Sequence, residues 1–209
     1  VEFAADFYLL KPVDPSRGPL VDYIQDSPGS QAELIYQGTD GPISSLRLAN
    51  IRDGIEDYEY LWLLAEKTGD IEVVREMAES VAWGILQWTN RPSAVSTARD
   101  QIAQWIARPY LARAPVPGHR SKDVPRNTVL KWGVDHSADV RSFEVYLGVD
   151  REAVRKASPS SPEYLGRSTK PEKAPGNLRD QTTYFWRVDE VTRRGVYPGY
   201  VWSFTTDTK

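Results

Sequence analysis

Residues 52–64, RDGIEDYEYLWLL, place four carboxylates (Asp53, Glu56, Asp57 and Glu59) within seven positions, beside Gly54, Tyr58, Tyr60 and Trp62. Paired carboxylates can act as general acid and base at a glycosidic bond or hold a hard cation, and aromatic rings can stack on sugars. The surrounding pattern decides against that chemistry. At about 100° per residue, Leu48, Ile51, Ile55, Tyr58, Trp62 and Ala65 share one arc of a helix. Asp53, Glu56 and Asp57 lie opposite, with Arg52 in reach of Glu56 one turn on. A straight helix cannot wrap an ion as an oxygen-only calcium site does. The acids are expected on a solvated face held by ion pairs, with contact to an upstream part of the chain, metal binding and catalysis as alternatives. Gly54 costs about 1 kcal/mol against alanine in a helix interior, so a neighbouring backbone or ring is expected to pack there. The stretch then serves as a docking helix.

The rest of the chain offers little catalytic equipment. It has no cysteine, which removes disulfides, thiolate metal sites and thiol nucleophiles. His119 and His136 both stand in polar, loop-like surroundings and are expected to be exposed, so neither a histidine-dependent triad nor a multi-histidine metal site is expected. No cofactor and no metal is expected. The net charge of −3 supplies no basic field for nucleic acid, and no apolar run approaches the roughly 20 residues that span a bilayer. Of the seven tryptophans, Trp62, Trp83, Trp88 and Trp105 fall in helical patterns and Trp132 and Trp186 fit inward strand positions, so core packing is expected for most.

The elements that would position these residues follow two grammars. From residue 1 to about 110, two short strands (2–10 and 32–38) are followed by turn residues and a serine cap, Ser44 or Ser45, and then by three helices. The helices are expected over 45–67, ending at Gly69; from the Asp70 cap to about Asn90; and over 93–108, stopping before Pro109. Two strands cannot complete a sheet domain, so this region is expected to be the end of something larger. Residues 111–126 carry three prolines and read as a linker and first-strand region. Beyond it, 128–134, 142–149, 182–191 and 200–206 alternate at period two, as in two packed antiparallel sheets. The chain begins VEFAADFYLL, without an initiator methionine or a basic leader, and reads as a piece of a longer polypeptide.

The segment AELIYQGTDGPISSLRLANIRDGIEDYEYLWLLAE (32–66) resembles the last strand and helix of a bacterial domain-of-unknown-function family. That family is similar to the catalytic (β/α)8 barrels of glycoside hydrolase family 123, the β-N-acetylgalactosaminidase type. The sequence departs from the family pattern at Gly29-Ser30-Gln31 and at Gln37. The stretches DVPRNTVLKW, FEVYLGVD, NLRDQTTYFWRVDEV and YPGYVWSFTT make residues 112–206 resemble a fibronectin type III-like domain. Within it, Leu178 and Tyr184 carry the spacing of a tyrosine corner. The two resemblances imply an α+β chain in two parts: the end of a barrel-like domain over 1–110, then, after 111–126, a β-sandwich over 127–209.

The first resemblance also implies substrate-assisted cleavage of N-acetylhexosaminides by an adjacent Asp-Glu pair. Here the only such dipeptide, Asp189-Glu190, lies in a β-sandwich strand and does not match the motif, so no catalytic residue is expected in this chain. The function implied is that of the C-terminal part of a secreted bacterial glycoside-hydrolase-like protein, extracellular or periplasmic, with the catalytic pair outside this chain. A non-catalytic polysaccharide-binding or spacer module is the alternative. Carbohydrate and the upstream part of the same polypeptide are the expected partners. Barrels of this kind build their sites at the C-terminal ends of strands, which nominates Tyr8, Tyr36 and Asp40 as substrate contacts.

Overall fold

The computed structural model describes residues 35–38, 41–84, 86–135 and 139–208. The chain divides into two compact units after Glu59.

In the first unit, β1 (Ile35–Gly38) turns directly back into β2 (Gly41–Ser44), with Ile35 opposite Ser44 and Gly38 opposite Gly41. The residues expected only as a turn between strand and helix thus supply the second strand of an antiparallel hairpin. Gly41 holds φ +135°, open to a residue without Cβ, so the chain can reverse within a few residues instead of continuing outward. Ser45 then caps helix α1 (Leu46–Thr68), its Oγ accepting the Leu48 N–H at 3.1 Å.

The acids of α1 lie as expected. Arg52 donates to Asp53 at 2.9 Å and reaches Glu56 at 3.8 Å. The opposite arc differs: Ile51, Ile55 and Tyr58 are exposed, and nothing lies within 4 Å of the point where a Cβ on Gly54 would stand. The packing expected against Gly54 is absent among the described residues. The last turn of α1 is different again, with Leu64 and Thr68 buried and Gly69 (φ +63°) ending the helix in the left-handed conformation that glycine tolerates.

Asp70 caps α2 (Ile71–Glu79) by accepting the Glu72 N–H at 2.9 Å. The helix stops eleven residues short of the expected end near Asn90, because the chain turns at Ser80 and forms a small hairpin, β3 (Ala82–Gly84) and β4 (Gln87–Trp88). Trp83 and Trp88 sit on it and are 58% and 60% exposed, and Trp62 on α1 is 57% exposed; none of these three is in the core. Helix α3 (Pro92–Ile106) follows with a proline in its first turn, burying Ala98 and Ile102.

Residues 111–126 are built into the sheets: β5 (Arg113–Val116) and β6 (Ser121–Val124) lie here, and Leu111, Ala112, Pro115 and Pro117 are buried. The remaining strands are β7 (Leu130–Gly133), β8 (Val140–Gly148), β9 (Tyr164–Ser168), β10 (Glu172–Lys173), β11 (Thr183–Thr192), β12 (Val196–Tyr197) and β13 (Val201–Thr206). A short sheet has the order β10-β7-β5, and a larger one β6-β13-β11-β8-β9, with β12 beside β11 and β6 parallel to β13.

Trp132 from β7 meets Phe143 at 5.2 Å and Trp186 at 6.4 Å between ring centres, and Trp186 meets Trp202 at 4.7 Å. The same core includes Leu64, Val73, Val74 and Ile102, so the helical segment from Leu64 onward and the sheets share one apolar interior. The second face of β8 and β11 is covered too, by helix α4 (Arg151–Lys156), which the sequence reading did not anticipate. Its Asp150 cap, early Glu152 and late Arg155 and Lys156 are the signals of a short helix.

The tyrosine corner is present: the Tyr184 hydroxyl accepts the Arg179 N–H at 3.0 Å, one residue beyond buried Leu178.

Candidate functional site

The described residues of the second unit include a polar cleft of about 500 Å³, lined by the ends of α2 and α3, by α4 and by residues 198–201 ahead of and into β13. Helix α2 brings Glu76 and is followed by Ser80; α3 brings Gln101 and Trp105, followed by Arg108; α4 brings Arg151, Glu152 and Arg155; Tyr200 completes the lining.

The position of α2 is fixed by carboxylates. Asp70 accepts the N–H of Glu72 with one oxygen and that of His119 with the other, at 3.0 Å. Glu76 meets His119 Nε2 at 2.6 Å and also pairs with Arg151. His119 is therefore not an exposed loop residue, as expected, but 3% exposed, and both ring nitrogens are engaged. Its Nδ1 accepts the Ser203 N–H at 3.0 Å, which leaves the ring proton on Nε2 to be donated to Glu76. His136 lies outside the described residues. Burial, the largest single influence on Glu76, works against its ionisation. The hydrogen bonds from His119 and Arg151 and the Arg151 charge together outweigh it and lower the Glu76 pKa to about 2.

On the opposite wall the Arg108 guanidinium carbon stands 3.7 Å from the centre of the Trp105 ring, and Arg108 donates to the Pro198 carbonyl. Tyr200 meets Trp105 edge-on at 5.2 Å. The Tyr200 hydroxyl is buried beside Arg151 and Glu76, yet makes no hydrogen bond of good geometry with any described residue. Burial raises its pKa, so it stays a neutral donor. Gly199 is required beside it: a Cβ there would lie 2.1 Å from the Val188 carbonyl oxygen. Beneath this wall, Arg187 and Asp189 form a two-bonded buried pair at 2.8 and 3.0 Å, and Arg187 also donates to the carbonyls of Val154, Arg155 and Ala157 at the end of α4.

This arrangement can bind and orient polar molecules. Among the described residues it does not resemble a glycosidase pair, in which one carboxyl has a raised pKa and acts as the acid. Glu76 is held as a carboxylate. Glu152 is exposed and bonded to Arg155. Two described carboxyls do have a raised pKa: Asp189, where burial outweighs the Arg187 charge it is bonded to, and Glu190, which lies elsewhere. Glu190 is 1% exposed, and burial, aided by the nearby Asp135 charge and partly offset by Lys67, raises its pKa to about 7. Among the described residues no group of three or more His, Cys, Asp or Glu could hold a metal ion.

Of the sequence-nominated contacts, Tyr8 and Asp40 lie outside the described residues, and Tyr36 stands in β1 opposite Ile43. The cleft residues come from segments between 76 and 201 and carry no shared sequence signal; Trp105 was read as core and His119 as loop. The juxtaposition of Trp105 with Arg108 at the end of a helix, one turn apart, is the local feature from which part of the wall could have been read.

No protein-family description matches this chain, and no curated protein matches it. Solved structures with local likeness include an α-L-rhamnosidase from Dictyoglumus thermophilum, 15% identical, with a TM-score of 0.34, over 43% of this chain and 11% of that one. Another is the Streptomyces avermitilis α-L-rhamnosidase complexed with L-rhamnose, 14% identical, with a TM-score of 0.34, over 47% of this chain and 10% of that one. A third is FN3tt mut, 21% identical, with a TM-score of 0.28, over 44% of this chain and 91% of that one. Each likeness involves less than half of this chain, and about a tenth of each rhamnosidase.

Proposed function

We propose that this chain is a non-catalytic, saccharide-binding part of a glycoside-hydrolase-like protein that acts on N-acetylhexosamine-containing glycans. Bond cleavage would belong to a carboxylate pair outside residues 1–209, and the protein would work in the periplasm or outside the cell. The observation that carries this reading is the cleft: Ser80, Gln101, Glu76, Arg108 and Arg151 surround a space walled by an indole and a phenol ring. Dense hydrogen-bonding groups beside aromatic surface suit a sugar's alternation of hydroxyls and C–H faces. The depressed Glu76 pKa supports binding in place of cleavage, because a carboxylate that stays ionised cannot supply the leaving-group proton. The resemblance of residues 32–66 to a barrel-closing segment supports the wider context, in which Tyr8, Tyr36 and Asp40 are proposed glycan contacts.

The test combines two assays on the 209-residue chain. Saturation-transfer NMR with chitotetraose should show contact with the sugar, while chromogenic N-acetylgalactosaminides and N-acetylglucosaminides should remain unhydrolysed. Turnover that Glu76→Gln abolishes would overturn the non-catalytic reading, and absence of any saturation transfer would overturn the binding one.

A further inference from the structure

We propose that the saccharide bound in the cleft is anionic, with a uronate carboxylate received by Arg108 where it stacks on Trp105; this rests on the saccharide-binding reading above.

The inference comes from matching each guanidinium of the lining to its partner. Arg151 pairs with Glu76, Arg155 with Glu152, and Arg187 with Asp189 through two hydrogen bonds. Arg108 is the exception. Its partners among the described residues are a backbone carbonyl and the face of Trp105, and no described carboxylate lies within ion-pairing distance. The carboxylates Glu76 and Glu152, which would repel an anion, are each already neutralised, so the unmatched charge of the cleft is the positive one at Arg108. It is also partly desolvated. Burial lowers the Arg108 pKa, and the more distant Asp189 charge only partly offsets that. A guanidinium in this condition gains more from an arriving carboxylate than one fully in water.

The indole also fixes the geometry with which Arg108 meets a ligand. Arg108 offers a planar fork of donors suited to a carboxylate, held in place by the indole behind it. One unmatched charge suits one carboxylate per binding site. A densely sulfated chain would call for an extended basic field, which a net charge of −3 does not provide. Combined with the proposed N-acetylhexosamine specificity, the ligand class is an oligosaccharide alternating uronate and N-acetylhexosamine.

The experiment is calorimetric titration of the 209-residue chain, at low ionic strength, with hyaluronan tetrasaccharide and with the same tetrasaccharide methyl-esterified at its uronates. The acid should bind about tenfold more tightly than the ester, the discrimination worth one charge-assisted contact. Arg108→Gln should remove that tenfold preference, so that acid and ester bind alike, and Arg108→Lys should retain part of it. Thermal melting of both variants confirms that they are folded, and the lysine variant keeps the charge test valid if the glutamine variant is not. Equal affinity for acid and ester in the unaltered chain would overturn the anionic inference and leave saccharide binding standing. Failure of both oligosaccharides to bind would overturn the anionic inference and the saccharide-binding reading together.

Discussion

Tyr184 and His119 mark the two ends of what single residues reveal. The role of Tyr184 was legible because its partner, the Arg179 N–H, lies five residues away and the Leu178 spacing is local. Tyr184→Phe should lower stability by about 1 kcal/mol or more, by leaving that part-buried N–H unmatched, and a denaturant midpoint measures it. His119 was not legible, since its partners Glu76 and Ser203 are 43 and 84 positions away. Glu76 can be checked by pH. A carboxyl whose folded-state pKa is depressed to about 2 contributes stability that is fully present above its unfolded value and lost as pH falls toward 2. Glu76→Gln should therefore cost roughly 2–3 kcal/mol at pH 7, and that difference should shrink below about pH 4.5. Glu190 has the opposite sign. With its pKa raised to about 7, it favours the folded state in acid and weighs against it as pH rises from its unfolded value through about 7. Glu190→Gln should thus be more stable than the unaltered chain at pH 8, on the order of 2 kcal/mol, with the advantage gone by about pH 4. Melting curves at the two pH values decide it.

At the level of elements, period and caps identified α1, the Ser45, Asp70 and Gly69 boundaries, α3 and the strands of the sheets, because those signals are written within a few residues. They did not show what a face meets. The stripe Ile51, Ile55 and Tyr58 has the spacing of a buried face but is exposed, and among the described residues Gly54 has no neighbour to justify it. Gly54→Ala should then stabilise the chain by about 1 kcal/mol, the ordinary helix-propensity difference, whereas a destabilised variant would restore the docking role. The continuation of α2 toward Asn90 was misread because Val81 and Ile85 keep the helical period across a chain reversal. Only Gly84 between Trp83 and Trp88 marks the hairpin. Helix α4 escaped notice because six residues are too few for a period, although its cap and charges were in view. Gly199 is the clearest case of an element fixed by a missing side chain. Gly199→Ala should destabilise strongly, since Cβ would overlap the Val188 carbonyl at 2.1 Å and displace the segment carrying Tyr200.

For the molecule as a whole, composition and alternation supported a mixed α+β chain with packed sheets, and the structure bears this out with four helices among the described residues. The division into helical and β regions at 111–126 does not mark a break in the core: Leu64, Val73 and Ile102 share an interior with Trp132, Trp186 and Trp202, and β5 and β6 occupy the intervening segment. The cleft depends on that union, because Glu76 and Trp105 come from helices while Tyr200 comes from the sheet side. No single stretch of sequence could announce it. The central claim is that this cleft holds a saccharide, and blocking it is the direct test. Gln101 is an exposed lining residue of α3, so Gln101→Trp should fill the space without disturbing the core. Calorimetric titration with chitotetraose should give measurable binding to the unaltered chain and at least about a tenfold loss in the folded Gln101→Trp variant. Undiminished affinity in that variant would place any saccharide elsewhere and contradict the account.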